Sequence, residues 1–418
     1  MVSEYAGMDA ASTEKKAVRW LSIVGIGEDG VAGLSANARL AIESADFVFG
    51  GVRHLALAAE AISGEARPWP VPFDVEMTDI VALRGRKVCV LASGDPFLYG
   101  VGVTLLKHVP VEETIAYPAP SAFSLAASRL GWALQATDCV SLHGRPIDLI
   151  RPHLHAGAKL LVLTSDDKTP ALLAALLTQA GFGRSEFILL EALGGQRERS
   201  RQATAADFSF ADIDPLNLVA IEVVADEKPR ILPFAQGLDD ALFEHDGQMT
   251  KREIRAVTLS SLAPRFGELL WDIGAGSGSI GIEWMLAHPS LRAIGIEQHA
   301  ERAERAERNA QAFGVPGLAI IRGAAPAALA GLPTPDAIFI GGGGSEDGVL
   351  EAAISALRPG GRLVANAVTL EMDAVLLAAQ ARLGGSLIRL EVTRASPVGS
   401  MQGWRPSMPV TQWAWVKP

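Results

Sequence analysis

Two glycine-rich loops, with the acids beside them, are the parts of this sequence best suited to chemistry. In the C-terminal half, LLWDIGAGSGSIGIE passes from an apolar strand pattern through Gly274-Ala275-Gly276-Ser277-Gly278 into a helical pattern. Glycines at this spacing permit a tight turn and let a ligand approach without a Cβ in the way. A dinucleotide-binding loop wants its third glycine one place later, where Ser279 stands. Asp272, two residues ahead of the first glycine, would repel a pyrophosphate and suits an amino group or a sulfonium. The next strand pattern, RAIGIE, ends in Glu297, 19 residues after Gly278, where a carboxylate can accept from both hydroxyls of a ribose.

A second group of residues reads as the place for an acceptor molecule. The strand pattern DAIFI runs into Gly341-Gly342-Gly343-Gly344, which offers space and backbone N–H groups to a bulky anion, or is a flexible loop. Ahead of the glycine-loop strand lies DGQMTKREIR, from which Thr250 is expected to reach the same ligand as the glycine loop. Lys251, Arg252 and Arg255 in this segment either meet substrate carboxylates or form one solvated helix face. Lys251, Gly342 and Gly343 are also candidate catalytic positions, together with His143 and Arg145 of SLHGR, which could bind a carboxylate or move a proton, or stand solvated at a turn. His153-x-His155 lacks a third ligand, so no metal site is expected.

The N-terminal loop, WLSIVGIGEDG, contains Gly25-x-Gly27-x-x-Gly30. Glu28 and Asp29 would face a pyrophosphate, and the next strand ends Val48-Phe49-Gly50-Gly51 with no acid for a ribose, so a nicotinamide dinucleotide is disfavoured. Further on come VLASGDPFLYG, with Gly94-Asp95-Pro96 and Tyr99-Gly100, and Pro118-Ala119-Pro120-Ser121-Ala122.

These residues need elements to position them. From Arg19 onward, short β-branched runs alternate with Ala/Leu-rich helical stretches, the pattern of α/β layers with largely parallel sheets. The alternation breaks at DEKPRILPFAQGLDDALFEH and restarts beyond it with five βα units and two closing strands, SLIRLEVTRA and PVTQWAWVKP. The expected organisation is a flexible tail over 1–17, a first domain over 18–230 with lobes at about 18–118 and 119–230, a linker over 231–245, and a second domain over 246–418. In the helix ERAERAERNA the apolar face at 3–4 spacing is packing and the charged face is solvated.

Composition bounds the rest. The 418 residues carry 37 Lys+Arg against 47 Asp+Glu, a formal charge of −10, which argues against generic nucleic-acid binding. Hydrophobic residues make up 49% and charged residues 20%, too apolar for a disordered chain. Two cysteines, Cys89 and Cys139, exclude a disulfide framework. No signal-peptide pattern and no apolar run of membrane-span length is visible, so a soluble cytoplasmic protein is expected.

Acid, glycine loop and second acid, in this strand order, resemble the class I S-adenosylmethionine-dependent methyltransferases, whose seven-stranded Rossmann-like sheet the C-terminal pattern matches. That resemblance implies that Arg322-Gly323-Ala324-Ala325-Pro326 wraps an adenine, with Ala324 and Ala325 contributing backbone groups. GDP, the opening glycine loop and PAPSA resemble the tetrapyrrole (corrin/porphyrin) methylases, with Glu28-Asp29 standing where many relatives have Pro-Gly. In that family two α/β lobes flank a cleft holding S-adenosylmethionine, which would place Gly94, Asp95, Pro96, Ser121 and Ala122 at a second donor site. The two folds in one chain resemble the fused, decarboxylating C(5,15)-methyltransferase family of corrin biosynthesis. GGVRHLAL, SGDPFLYG, SLHGR, WDIGAGSGSIGIEWM and the 341–344 glycines carry the likeness. The resemblance implies two S-adenosylmethionine sites, one per domain, and a tetrapyrrole substrate. It further implies that the first domain methylates carbon 5 and that the second methylates carbon 15 and decarboxylates the ring C acetate. A homo-oligomer without nucleic-acid or membrane partners is expected. An RNA methyltransferase, a cobalt-precorrin enzyme and a non-catalytic nucleotide-binding protein are the alternatives.

Overall fold

The computed structural model describes residues 18–418; the expected tail over 1–17 lies outside the described residues. The chain divides into two compact units, one running to Gly144 and resuming at Gly157–Val224, the other comprising Arg145–Ala156 and Ala225–Pro418.

The first unit contains two five-stranded sheets. In one, Glu65–Pro68, Phe47–Gly50, Val88–Ser93, Leu21–Ile26 and Thr114–Tyr117 lie side by side, all parallel. The two central strands are buried through Ile23, Val24, Cys89, Val90 and Leu91, as strands covered on both faces must be. The second sheet departs from the parallel expectation: of its neighbours only Asp138–Ser141 and Lys159–Leu163 are parallel, and Asn217–Glu222, Glu186–Glu191 and Arg199–Thr204 pair antiparallel. The connection from Glu191 to Arg199 is too short for a crossover helix, so the chain can only return as a hairpin.

The second unit holds a seven-stranded sheet in the order Ala319–Arg322, Arg292–Glu297, Leu269–Ile273, Ala337–Ile340, Arg362–Ala367, Val410–Val416, Ser386–Leu390. The first five strands are parallel and the last two pair antiparallel, as the C-terminal pattern predicts. Between the closing strands the chain adds a separate hairpin, Thr393–Val398 with Met401–Pro406, absent from the sequence reading because it interrupts what looks like one long strand.

The 231–245 stretch is no linker. Leu232, Leu238 and Phe243 are buried in the same core as Leu259 and Phe313, with the Phe243 and Phe313 rings stacked at 4.3 Å. The boundary at 230 is also shifted, because the helical turn Ile147–His153 belongs to the second unit. A Cβ on Gly314 would strike Pro152 and lie 2.7 Å from the Asp148 carbonyl, so that glycine gives the turn its seat.

Arg255, expected at the substrate, is fully buried instead. Its Nε donates to Glu283 at 2.5 Å, its Nη1 to Asp240 at 3.0 Å and to the Thr250 carbonyl at 2.6 Å, and its Nη2 to the Leu238 carbonyl. Glu283 also accepts the N–H groups of Gly237 and Leu238. The periodic spacing that puts Arg255 one turn after Lys251 also turns it inward, towards the only buried acid on the Ser279–Leu286 helix.

Arg255→Ala leaves Glu283 charged, buried and short of its cation, and is expected to cost about 3–5 kcal/mol of stability. A lower urea midpoint with an unchanged slope would show this; a midpoint within error of the parent would remove Arg255 from the clamp.

Candidate active site

The C-terminal ends of the strands in the second unit open into a cavity of about 1180 Å³. Its first wall is the glycine loop. Gly274 has φ +74°, and a Cβ there would lie 2.6 Å from the Gly342 nitrogen, so the two loops leaving neighbouring strands touch backbone to backbone. Gly276, at φ +57°, sits under the Gln248 carbonyl. Gly278 does not line the cavity: its missing Cβ faces Ala306 at 3.1 Å and Leu318, so it is a packing glycine and not a ligand contact.

Asp272, Gly274, Ala275, Gly276, Ser277 and Glu297 all line the cavity. Glu297 Oε2 accepts the Gly276 N–H at 2.9 Å and Oε1 accepts the His299 N–H at 2.8 Å, which fixes the carboxylate and leaves lone pairs free on both oxygens. Asp272 is 1% exposed and its Oδ2 accepts the Gly281 N–H at 3.0 Å. Burial pushes its carboxyl up to about 7; the Gly281 N–H opposes this and the Glu297 charge adds to it. The Ser277 hydroxyl is buried without a hydrogen-bond partner among the described residues. Ala324 and Ala325 form part of another wall, and Thr250 lines the cavity with its carbonyl held by Arg255. The turn ahead of Thr250 is tied down by Asp246, whose carboxylate is held at about 2 by the Gln248 N–H, Arg302 and Arg305.

Gly341, Gly342 and Gly343 line the same cavity. Gly343 has φ +71° and open space where a Cβ would be. Gly344 does not belong to this surface, because a Cβ there would lie 2.5 Å from Met372 Cε and 2.7 Å from Ile340 Cγ2. Lys251 lines the cavity, and among the described residues its ammonium has no polar partner. Arg252 is exposed and does not line it, since the side chain leaves the helix on the solvent side. Asn366 and Arg394 do line it, and the sequence reading missed both. Arg394 belongs to the unexpected hairpin, where it pairs with Glu253 and donates to Ser407 at 3.2 Å.

In the first unit the three quoted motifs converge. A Cβ on Gly25 would strike the Gly94 carbonyl, the Ala119 N–H donates to that carbonyl at 3.1 Å, and a Cβ on Gly94 (φ +55°) would lie 3.0 Å from Ser121 Cα. Gly94, Asp95, Pro96, Ser121 and Ala122 therefore share one end of the parallel sheet. Asp95 accepts the Phe97 N–H at 2.8 Å, and Ser121 caps the Ala122–Leu130 helix through the Ser124 N–H. Glu28 pairs with Arg53 and lies 3.6 Å from Arg197, so its charge is met inside the protein. His143 is exposed, its Nδ1 donating to the Thr164 carbonyl at 3.1 Å. Arg145 falls in the other compact unit.

Comparison with known proteins follows this division. Residues 21–209 match the tetrapyrrole (corrin/porphyrin) methylases, and residues 241–417 match the precorrin methyltransferase domain. A precorrin-6Y C(5,15)-methyltransferase [decarboxylating] from Sinorhizobium sp is 63% identical over 98% of this chain and 99% of its own. A protein of the same name from Mycobacterium tuberculosis is 40% identical over 94% of this chain and 99% of its own. A cobalt-precorrin-6B C(15)-methyltransferase (decarboxylating) from Salmonella typhimurium is 34% identical over 39% of this chain and 85% of its own.

The raised Asp272 sets a pH dependence. Between its ordinary value of 3.8 and about 7 the folded state holds a proton that the unfolded chain has lost, so this group's contribution to stability falls as pH rises through that window and is flat above it. Asp272→Asn keeps the acceptor for Gly281 and should remove that slope. Urea midpoints of parent and variant that run parallel from about pH 4 to pH 8 would show that Asp272 titrates normally.

Proposed function

This chain belongs to the precorrin-6Y C(5,15)-methyltransferase (decarboxylating) family, and from that premise we propose how its domains divide the work. The protein is a methyltransferase of cobalamin biosynthesis that methylates a precorrin at carbons 5 and 15 and decarboxylates it. In our reading the second unit methylates carbon 15 and removes the ring C acetate carboxyl, and the first unit methylates carbon 5. The Salmonella relative supports this, since a protein matching only 39% of this chain carries the C(15) and decarboxylating name by itself.

The single observation that carries the reading is the backbone contact of Gly274 with Gly342, which joins a donor end and an acceptor end within one cavity. The donor end fits S-adenosylmethionine. Glu297 has lone pairs left for two ribose hydroxyls, Ser277 offers an unpartnered buried hydroxyl, and Asp272 favours a cationic neighbour that would ionise it. When bound, that cofactor supplies an electrophilic methyl group. Ala324 and Ala325, in the wall of the same cavity, would hold the adenine. At the acceptor end Gly341–Gly343 leave clearance for a ring edge, and Lys251 offers a free cation to its carboxylates. A reduced tetrapyrrole's meso carbon is enamine-like and needs no strong base, so these residues align the partners and exclude water. In the first unit, the converging Gly94–Pro96 and Ser121–Ala122 loops form the second donor site.

Calorimetry on the whole chain should give two S-adenosylmethionine molecules per chain. In Glu297→Ala one of the two sites should weaken at least about tenfold, from the loss of charge-assisted hydrogen bonds, while the other is unchanged. A parent stoichiometry of one would end the two-site reading.

Gly343→Val forces a β-branched residue to φ +71° and fills the clearance. Carbon 15 methylation and carbon dioxide release should be lost together, with donor binding kept. Lys251→Glu should raise the substrate KM, with a smaller effect at high salt. Loss of donor binding in Gly343→Val, with substrate binding retained, would assign the loop to the cofactor.

A further inference from the structure

A polar network lies behind one wall of the second unit's cavity, built from side chains of three elements. Thr258 is on the Arg252–Leu262 helix, Asn366 on the Arg362–Ala367 strand and Gln412 on the Val410–Val416 strand. Thr258 and Gln412 are 0% and 1% exposed, and Asn366 reaches the cavity. The Thr258 hydroxyl donates to the Ile254 carbonyl at 2.8 Å, which spends its only proton. It must then accept from both amides, from Asn366 Nδ2 at 2.9 Å and from Gln412 Nε2 at 2.9 Å. Gln412 Nε2 gives its other proton to Asn366 Oδ1 at 2.9 Å, and Gln412 Oε1 lies 2.8 Å from the Ser261 hydroxyl, whose one proton it shares with the Val257 carbonyl at 3.0 Å.

Every choice of orientation is thereby removed. Thr258 has no proton to offer, so Asn366 must turn its nitrogen to Thr258 and its oxygen to Gln412. One N–H and one lone pair of Asn366 stay unspent, on the residue of the network that lines the cavity. Buried side chain to side chain networks are uncommon and costly when incomplete. Asn366 and Gln412 face each other across their antiparallel strands, and Thr258 ties that pair to the covering helix, yet the unspent groups of Asn366 serve neither contact. Asn366 also stands beside the acceptor loop: Ala365 pairs in register with Ile340, so the next residues along are Asn366 and Gly341.

We infer that Asn366 is the substrate-orienting residue of the decarboxylation, donating its free N–H to the acetate carboxylate that leaves, with Thr258 and Gln412 as its positioning residues. The inference rests on the carbon 15 and decarboxylation reading of this cavity. In the step, the bond between the acetate methylene and its carboxyl carbon breaks. Its electron pair enters the conjugated C=N system left electron-poor by methyl transfer, carbon dioxide departs, and a proton from solvent returns to the methylene to make a methyl group. Overlap requires the breaking bond to stand across the plane of the ring, and a carboxylate rotates freely unless something holds it. A lysine or arginine there would stabilise the carboxylate in the ground state and oppose its loss. A neutral amide sets the angle with far less of that penalty.

The test is the ratio of carbon dioxide released to methyl groups transferred to carbon 15, measured on the whole chain with precorrin-6B and S-adenosylmethionine. Asn366→Leu should keep methylating carbon 15 within a few-fold of the parent rate, while the ratio falls at least about tenfold and a methylated, undecarboxylated product accumulates. Asn366→Asp keeps the size and the Gln412 bond, so it serves if the leucine variant does not fold, and it should show the same uncoupling. Gln412→Leu should lower the ratio less than Asn366→Leu, since the donor remains but is no longer locked. A ratio unchanged in both Asn366 variants, or a parallel loss of both reactions, overturns the inference, because a merely structural role moves the two together. If the parent protein releases no carbon dioxide, the functional reading falls and this inference with it.

Discussion

The contact between Gly274 and Gly342 is the constraint on which the second unit's chemistry depends. The strands ending at Ile273 and Ile340 are neighbours in register, and the chain leaves one for Arg292–Glu297 on one side and the other for Arg362–Ala367 on the opposite side. This is the switch point of the sheet, where the connecting loops diverge and a crevice opens by topology alone. Two ligands can share that crevice only if the loops flooring it approach closely. A Cβ on Gly274 would sit 2.6 Å from the Gly342 nitrogen, and Gly274 also has φ +74°, so the position excludes side chains twice over. Asp272 and Glu297 on one side and the 341–343 glycines on the other are thus tied together by two backbones in contact, which side-chain motion cannot alter.

Charge is handled by spending most cations internally. With a formal charge of −10, the chain does not attract a polyanionic ring through its overall field. Arg255, Arg302 and Arg394 are each committed to carboxylates of the protein, and only Lys251 faces the cavity without a partner among the described residues. The division matches the two side chains' properties. Arginine's fixed fork satisfies several acceptors at once, as Arg255 does, and suits a buried clamp; lysine's mobile point charge can follow a flexible propionate or acetate.

The parts of the site that could be read from sequence are those whose meaning is local. The glycine loop, Asp272 and Glu297 lie within 26 residues of one another, at spacings fixed by one strand–loop–helix–strand unit, and they arrive in one cavity. The three N-terminal motifs were legible for a similar reason: each marks the end of a parallel strand, and adjacent parallel strands end together. What failed depended on contacts distant in sequence. Arg255 looks like Lys251's partner until Glu283 and Asp240 are seen around it. Gly344 looks like its three neighbours until Met372 is placed behind it. Arg394 and Asn366 carried no motif, because one sits in a hairpin hidden in a long strand pattern and the other is defined by partners 108 and 46 residues away. Among the linker residues, Pro, Gly and charge outweighed Leu232, Leu238 and Phe243, whose spacing follows no regular element and so gave no periodic signal.

If each domain transfers one methyl group, as proposed, the two meet one chemical demand with different amounts of side-chain machinery. In both, the reacting carbon is nucleophilic through its own conjugation, so methyl transfer needs proximity and a dry site more than it needs a base. The first unit answers largely with backbone: strand ends drawn together by glycines at 25 and 94, and a capped helix at Ser121, with Glu28's charge absorbed by Arg53 and Arg197. On the proposed division of labour the second unit needs more, because it has a second bond to break. Methylation requires one atom to be placed against the methyl group, whereas decarboxylation also depends on the torsion of a freely rotating bond. A torsion is set by a directed hydrogen bond, and a hydrogen bond is directed only if its donor cannot turn. The saturated hydroxyl of Thr258 meets that requirement, since with its single proton committed to Ile254 it leaves the amide of Asn366 one orientation in which to stand.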